Sequence, residues 1–428
     1  MSEWKDSWNT DRLDKLVDIC VSNVDKKSYV NESPVRLCNY MDVYSNDYIK
    51  EGIDFMNSTA SKSQLAKFII KKGDVMITKD SETPDDIGIA AVSLIDFEDV
   101  VCGYHLALFK PYKNIICGEF LAKQLGQYKV NRHFANKANG STRYGLTLEA
   151  IKSAKIPYPK SLDKQLEIAK ILTTCDAVIE QTQSAIAKYK AIKQGLLHDL
   201  FTRGLDASGK LRPTYQQAPE LYKESELGMI PKEWEVKRLE ECCNEHCSYG
   251  INAASVDFDS KLPLYLRITD ITEDGRYNRS SKKCVNDTQS DNYILKGNDI
   301  VFARTGATVG KTYLYNPNDG KLIYAGFLIK FSPNKNKLNS YFLKSYSETS
   351  IYWNWVNIFS QRSGQPGING NEFGSLGLSI PKISEQNAIA KRFQSIDNKL
   401  QSEETLLSKY QSIKRGLMGD LLSGKKGV

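Results

Sequence analysis

Two stretches of this chain carry the same helical pattern of apolar positions. Stepping alternately four and three residues from Ile168 meets Leu172, Cys175, Ile179, Thr182, Ile186 and Tyr189. From Ile389 the same steps meet Phe393, Ile396, Leu400, Glu403, Leu407 and Tyr410. Each is a heptad seam with one polar break, at the same place in both copies. Residues 165–200 and 386–421 align without a gap at a constant offset of 221, and the identical pairs include Gln165/Gln386, Asp176/Asp397, Lys193/Lys414 and Asp199/Asp420. Neither segment contains proline, so each predicts an unbroken helix of 36 residues, about 54 Å long. A lone helix with a narrow apolar stripe needs a partner, and the other copy is the obvious one.

The flanking residues mark the boundaries. Ile156-Pro157-Tyr158-Pro159 and Ile380-Pro381 precede the two helices, since proline cannot donate into a helix ladder. Asp163 and Ser384 are the predicted N-caps, and Gly204 and Gly424 mark the ends. Short alternating strands, Asp74–Thr78 and Asp299–Ala303, stand among crowded turn residues in the remaining sequence. A fainter repeat opens each half: Trp8…Arg12-Leu13 against Trp234…Arg238-Leu239, and Lys72-Gly73-Asp74-Val75 against Gly297-Asn298-Asp299-Ile300. The expected organisation is a lobe over residues 1–158, a long helix over 159–204, a polar surface linker over 205–232, a second lobe over 233–381 and a second long helix over 382–424. The fold class is α+β: two similar mixed α/β lobes separated by an antiparallel two-helix coiled coil with pseudo-two-fold symmetry.

Composition changes this picture little. A chain of 428 residues with 41% hydrophobic and 25% charged residues is an ordinary globular protein of more than one domain. No run of eighteen apolar residues predicts a membrane span, and the polar opening MSEWKDSWNTDRLDK does not resemble an export signal. Nine scattered cysteines without a framework then suggest reduced thiols and a cytoplasmic location. The net charge of +7 permits a polyanionic partner without requiring one.

The helix ends carry a more specific signal. They read Ile192-Lys-Gln-Gly-Leu-Leu-His-Asp-Leu-Phe-Thr-Arg-Gly204 and Ile413-Lys-Arg-Gly-Leu-Met-Gly-Asp-Leu-Leu-Ser-Gly424, with Ala218-Pro-Glu-Leu-Tyr-Lys-Glu-Ser225 and Gly228-Met-Ile-Pro-Lys-Glu-Trp234 between. With the Ile-Pro lobe exits, these stretches resemble the DNA-specificity subunits of type I restriction-modification systems over nearly the whole chain. The resemblance implies two target-recognition domains, each reading half of an interrupted double-stranded DNA site, with the helices acting as a ruler. It also implies two modification subunits, which methylate adenine N6 with S-adenosylmethionine, and two restriction (motor-nuclease) subunits. S-adenosylmethionine, ATP and Mg are then expected only in the partners, and the chain itself is expected to hold no cofactor and no metal and to do no chemistry. A separation of at most about 54 Å corresponds to about 16 base pairs between the reading heads.

Base readers in the major groove need bidentate donors and acceptors: arginine for guanine, asparagine or glutamine for adenine. The first lobe offers Arg132, Asn139, Arg143 and Tyr144, and the second offers Arg304, Arg362, Gln365 and Asn369. Gly140-Ser-Thr-Arg143 and Ser363-Gly-Gln-Pro366 stand just before the lobe exits, where small residues allow close approach to a phosphate. Lys62, Lys79 and Lys311 are candidate phosphate contacts. Past the seams, Leu196, Leu197 and Leu200, and again Leu417, Met418 and Leu421, form apolar patches. They either dock one modification subunit per helix or pack locally against a lobe. The seam breaks Thr182 and Glu403 either meet and fix the register or face solvent.

Other motifs do not hold up. Gly306-Ala-Thr-Val-Gly310-Lys311-Thr312 is one residue short of a phosphate loop and runs into a strand pattern. Cys242-Cys243-Asn-Glu-His246-Cys247 lacks the second ligand pair usual in a zinc site. Two other functional readings remain open: a protein scaffold without a DNA role, and a specificity subunit of a related methylation system that lacks the motor-nuclease.

Overall fold

Strand pairing between distant segments builds each lobe. The computed structural model describes residues 7–361 and 364–424, and its contacts divide the chain into two units, Met1–Gln183 with Leu406–Val428, and Ser184–Thr405. The first contains β1 (Trp8–Arg12), β2 (Val17–Val21), β3 (Ser33–Cys38), β4 (Tyr48–Ile49), β5 (Met56–Ala60), β6 (Val75–Thr78), β7 (Asp80–Ser81), β8 (Ala90–Ser93), β9 (Val100–Cys102), β10 (Leu106–Pro111), β11 (Tyr144–Gly145) and β12 (Lys155–Pro159). Its main sheet has the order β2-β10-β6-β8-β4, beside a three-stranded sheet β5-β3-β9 and the pairs β1-β12 and β7-β11. Helices α1 (Tyr40–Tyr44), α2 (Lys62–Phe68), α3 (Gly118–Leu125), α4 (Tyr128–Lys137) and α5 (Leu148–Lys152) cover it, and α6 (Leu162–Thr202) follows.

The second unit opens with the hairpin β13 (Tyr222–Ser225) and β14 (Gly228–Pro231), then β15 (Glu235–Arg238), β16 (Ser248–Tyr249), β17 (Ser255–Asp257), β18 (Leu264–Leu266), β19 (Lys283–Val285), β20 (Ile300–Ala303), β21 (Thr312–Leu314), β22 (Leu322–Tyr324), β23 (Leu328–Phe331) and β24 (Gly377–Ile380). It has two four-stranded sheets, β16-β23-β20-β21 and β17-β19-β18-β22, and the separate pair β15-β24. Helices α7 (Ser340–Tyr346), α8 (Ser350–Phe359) and α9 (Gly370–Gly374) precede α10 (Ile383–Leu421).

The two predicted strands are the central ones, but the alternation expected of them is absent, because both faces of each strand are covered. In β6, Val75 and Ile77 face one core while Met76 faces another; in β20, Ile300 and Phe302 face one core while Val301 and Ala303 face a second. The lobes share a plan: β6 matches β20 at an offset of 225, α3 matches α7 at 221, and α4, α5 and β12 match α8, α9 and β24 at 222.

The long helices run 41 and 39 residues, about 60 Å each. In the first unit Ile168 and Leu172, near the start of α6, share a core with Leu421 and Leu422 at the end of α10. In the second, Leu197, Leu200 and Phe201 near the end of α6 share a core with Ile389, Phe393 and Ile396 near the start of α10. Within each unit the two helices are therefore antiparallel. The remaining seam positions Ile179, Ile186, Tyr189, Leu400, Leu407 and Tyr410 are all buried or half-buried.

Several expectations are corrected here. For the six leucine and methionine residues offered either for subunit docking or for local packing, the structure shows local packing within the units. Leu197, Leu200 and Leu421 are buried, and Leu196, Leu417 and Met418 pack against the same cores, because α3 and α7 close over the helix pair. Asp163 and Ser384 lie inside the first turns and are not N-caps, since α6 starts at Leu162 and α10 at Ile383. The linker is not a plain polar strap. It forms the β13-β14 hairpin, and buried Arg212 pairs with Glu385 at 2.6 Å. Glu385 also accepts the indole N–H of Trp234 (3.3 Å), and a side chain at Gly204 (φ 63°) would strike both. The seam breaks are satisfied on their own helices: Thr182 Oγ1 donates to Val178 O at 2.7 Å, and Glu403 pairs with Lys399 at 2.8 Å.

Candidate nucleic-acid interface

In each lobe, a buried central strand ends and a half-buried cation follows it. In the first lobe β6 ends at Thr78 and Lys79 follows. The pairing Asp80↔Gly145 and Ser81↔Tyr144, the bridge Asn139↔Gly145, and the bond from Leu146 N to Lys79 O (2.8 Å) bring residues 139–146 onto this strand exit. Gly140 has φ 143°, and a Cβ there would lie 1.9 Å from Arg143 O, so only glycine allows the loop to fold this tightly. Lys79, Asn139, Arg143 and Tyr144 are thus gathered, with Asn139 and Arg143 exposed and Tyr144 half-buried. Arg132 is exposed on α4, and among the described residues no hydrogen bond or ion pair ties it to that loop. Lys62 is exposed in the first turn of α2.

In the second lobe β20 ends at Ala303 and Arg304 follows, at the position equivalent to Lys79. Ile368 N donates to Arg304 O (2.9 Å), Gly306 N donates to Pro366 O (3.0 Å), and Thr305 bridges Gly367. This joins Arg304 and the exposed Gln365 at one surface. Arg362 lies outside the described residues. Two other candidates have structural work. Asn369 caps α9, its Oδ1 accepting from Glu372 N (3.0 Å), as Thr147 caps α5 by accepting from Ala150 N (3.1 Å). Lys311 is largely covered and pairs with Glu273 at 2.5 Å.

Aromatic rings hold both strand-exit cations. Lys79 Nζ lies 5.7 Å from the Tyr104 ring centroid and 3.2 Å from Asp80 Oδ2, and Asp80 also meets His105 Nδ1 at 2.8 Å. Arg304 lies 4.9 Å from the Tyr249 ring centroid, while Tyr249 OH accepts from Gly370 N at 2.8 Å. A guanidinium resting on a ring keeps its edge donors free and ordered. Asp80, Tyr104, His105 and Tyr249 went unnoticed in the sequence: Asp80 and Tyr249 lie in β7 and β16, and Tyr104 and His105 lie in the turn before β10, which pairs with β6. The arrangement suits phosphate binding and base-edge hydrogen bonding.

Among the described residues no cluster of three metal-ligating side chains exists. Burial pushes the Cys243 thiol up to about 12 and also raises Cys242. The segment 306–312 forms a 3-10 turn, Gly306–Thr308, leading into β21.

The family model for the type I restriction modification DNA specificity domain matches residues 5–189 and again 231–410. The chain belongs to this family. Each match of the specificity domain spans one lobe and most of the long helix after it. The type I restriction enzyme MjaVIII specificity subunit of Methanocaldococcus jannaschii is 22% identical over 406 residues, covering 90% of this chain and 86% of that one. A second chain of that archaeon, provisionally named the type I restriction enzyme MjaX specificity subunit, is 26% identical over 371 residues, covering 85% and 81%. The fold is similar to the crystal structure of the type I restriction-modification S subunit from M. genitalium, with a TM-score of 0.63 at 16% identity over 97% of this chain and 96% of that one. This chain is thus a specificity subunit with two recognition domains. Among the described residues no helix is long and apolar enough to cross a membrane.

Proposed function

We propose that each lobe reads one half of an interrupted DNA site and that the helix pair sets the unread gap. The observation that carries this reading is the strand-exit cation, built twice. Lys79 beside Asn139 and Arg143, and Arg304 beside Gln365, occupy matching places on a shared scaffold while their loops differ. A common scaffold with unlike loops suits two different half-sites. The chain binds and orients DNA, and adenine methylation and cleavage belong to modification and restriction subunits that carry S-adenosylmethionine, ATP and Mg. Docking of one modification subunit per helix is supported by Ile192 and Ile413. They are identical at the 221 offset and are exposed at 42% and 43%, unlike the leucines that follow them.

Co-expression with its modification subunit, followed by mapping of methylated adenines, tests the reading. Methylation at one bipartite sequence with a fixed gap is expected, with duplex affinity falling steeply with salt. An uninterrupted target, or no duplex binding, would overturn it.

A further inference from the structure

Three identical charged pairs at the offset of 221, two of them in the long helices, have a purpose that appears only in three dimensions. In the first unit Asp176 of α6 accepts from Tyr48 OH (2.6 Å), from Lys123 Nζ of α3 (2.6 Å) and from Lys414 of α10. In the second unit Asp397 of α10 accepts from Tyr341 OH (2.7 Å), from Lys344 Nζ of α7 (3.3 Å) and from Lys193 Nζ of α6 (2.7 Å). Asp176/Asp397, Lys123/Lys344 and Lys193/Lys414 all stand at the same offset of 221. The tyrosines do not. Tyr48 lies in β4 and Tyr341 in α7, yet in both clamps the lobe lysine rests over the tyrosine ring, at 4.6 and 5.5 Å. The constant members are one aspartate and two lysines, one from the lobe and one from the opposite long helix.

The lysine from the opposite helix has an axial consequence. An apolar heptad seam accepts a slip of one heptad, because one leucine-sized contact replaces another. Such a slip moves one helix by about 10.5 Å, or about three base pairs of DNA. A shielded ion pair does not accept it, because the slipped state strands the opposite-helix lysine and takes from the aspartate one of its two cations. The aspartate, lobe-lysine and opposite-helix-lysine side chains are 10%, 7% and 24% exposed in the first clamp and 19%, 9% and 10% in the second. The residue numbers of Asp176 with Lys414 and of Lys193 with Asp397 add to the same value, so both pairs specify one antiparallel register.

We infer that Asp176–Lys414 and Lys193–Asp397 are positioning pairs that choose the gap length of the DNA site by locking the axial register of α6 against α10. This rests on the bipartite reading above. The test uses the complex with the modification subunit and duplexes that carry both half-sites with the native gap, or with gaps longer or shorter by one and by three base pairs. The K193M/K414M double variant should lose most of its preference for the native gap, a fall of at least tenfold in the affinity ratio, while the preferred half-site sequences stay the same. K193R/K414R should restore the ratio. K123M/K344M, which removes only the lobe lysines, should be destabilised and keep the ratio. If K193M/K414M is not folded by circular dichroism, the near-isosteric D176N and D397N variants take its place. A folded variant that keeps the native gap preference overturns this proposal alone. A wild-type complex without any gap preference overturns the bipartite reading and this proposal with it.

Discussion

Replacing Gln386 tests how the second lobe is attached to its helix. The side chain is 1% exposed and its carboxamide is fully used. Its Oε1 accepts from Asn339 N at 2.9 Å, and its Nε2 donates to Lys337 O at 3.0 Å and to Pro381 O at 2.9 Å. Gln386→Met keeps the volume and strands one N–H and two carbonyl groups. Each unsatisfied buried polar group costs about 1–3 kcal/mol, so the low end for three is about 3 kcal/mol. Urea unfolding followed by tryptophan fluorescence reports mainly on the second unit, which holds Trp234, Trp353 and Trp355 of the five tryptophans. With a urea slope of about 2 kcal/mol/M, the midpoint should drop by about 1.5 M. Gln165 makes the matching bonds in the first unit, accepting from Cys117 N and donating to Ile115 O and Pro159 O. Gln165→Met should therefore weaken amide-exchange protection in that unit to a similar degree. A midpoint shift under about 0.3 M for Gln386→Met would refute the reasoning, because the stranded groups would then have found other partners at little cost.

Three further outcomes follow from the same geometry. Lys79→Ala should weaken binding similarly across DNA sequences and lower the salt slope by about one, whereas Arg304→Ala should cost about 1–3 kcal/mol and relax preference at one base pair; competition titrations at several salt concentrations separate the two. Leu197→Asp should unfold the second lobe, not just release a partner, because it buries a charge in the core at a cost of about 3 kcal/mol or more; a thermal melt decides, and an unchanged melt with lost assembly would restore the docking assignment. Burial works most strongly against charge on Asp176 and Asp397. The hydrogen bonds and charges of Lys123, Lys414 and Tyr48, and of Lys344, Lys193 and Tyr341, outweigh it and hold both carboxyls below the ordinary value of 3.8. A lowered folded pKa stabilises the protein above the unfolded value and is lost as pH falls through the folded one, so the urea midpoint should drop below about pH 4, with a shallower acid limb in D176N/D397N.

Much of the architecture was legible in the residues. Heptad spacing announced both long helices, and the constant offset of 221 announced that they are copies. Asp74–Thr78 and Asp299–Ala303 read as strands and are the central ones. The first-lobe loop was legible because Gly140 demands a tight turn close to the exit. Tyr104, His105 and Tyr249 were not, because pairing between distant segments, which no local spacing encodes, sets Tyr104 beside Lys79, His105 beside Asp80 and Tyr249 beside Arg304. Asn369 looked like an adenine reader because a capping asparagine and a base-reading one carry the same amide; only the capping box at Glu372 distinguishes them.

Periodicity and repetition, which depend on neighbours a few residues apart, determined that this chain has two helices with apolar seams, two related α/β lobes and the marks of a specificity family. The tertiary structure decided how the seam ends and the shared charges are used. The leucines and methionine after each seam became core because α3 and α7 close over them, and Asp176 and Asp397 became clamps because lysines from a lobe and from the antiparallel helix converge on them. An apolar or charged side chain states only that it needs a partner, and which partner it meets depends on chain brought in from far along the sequence.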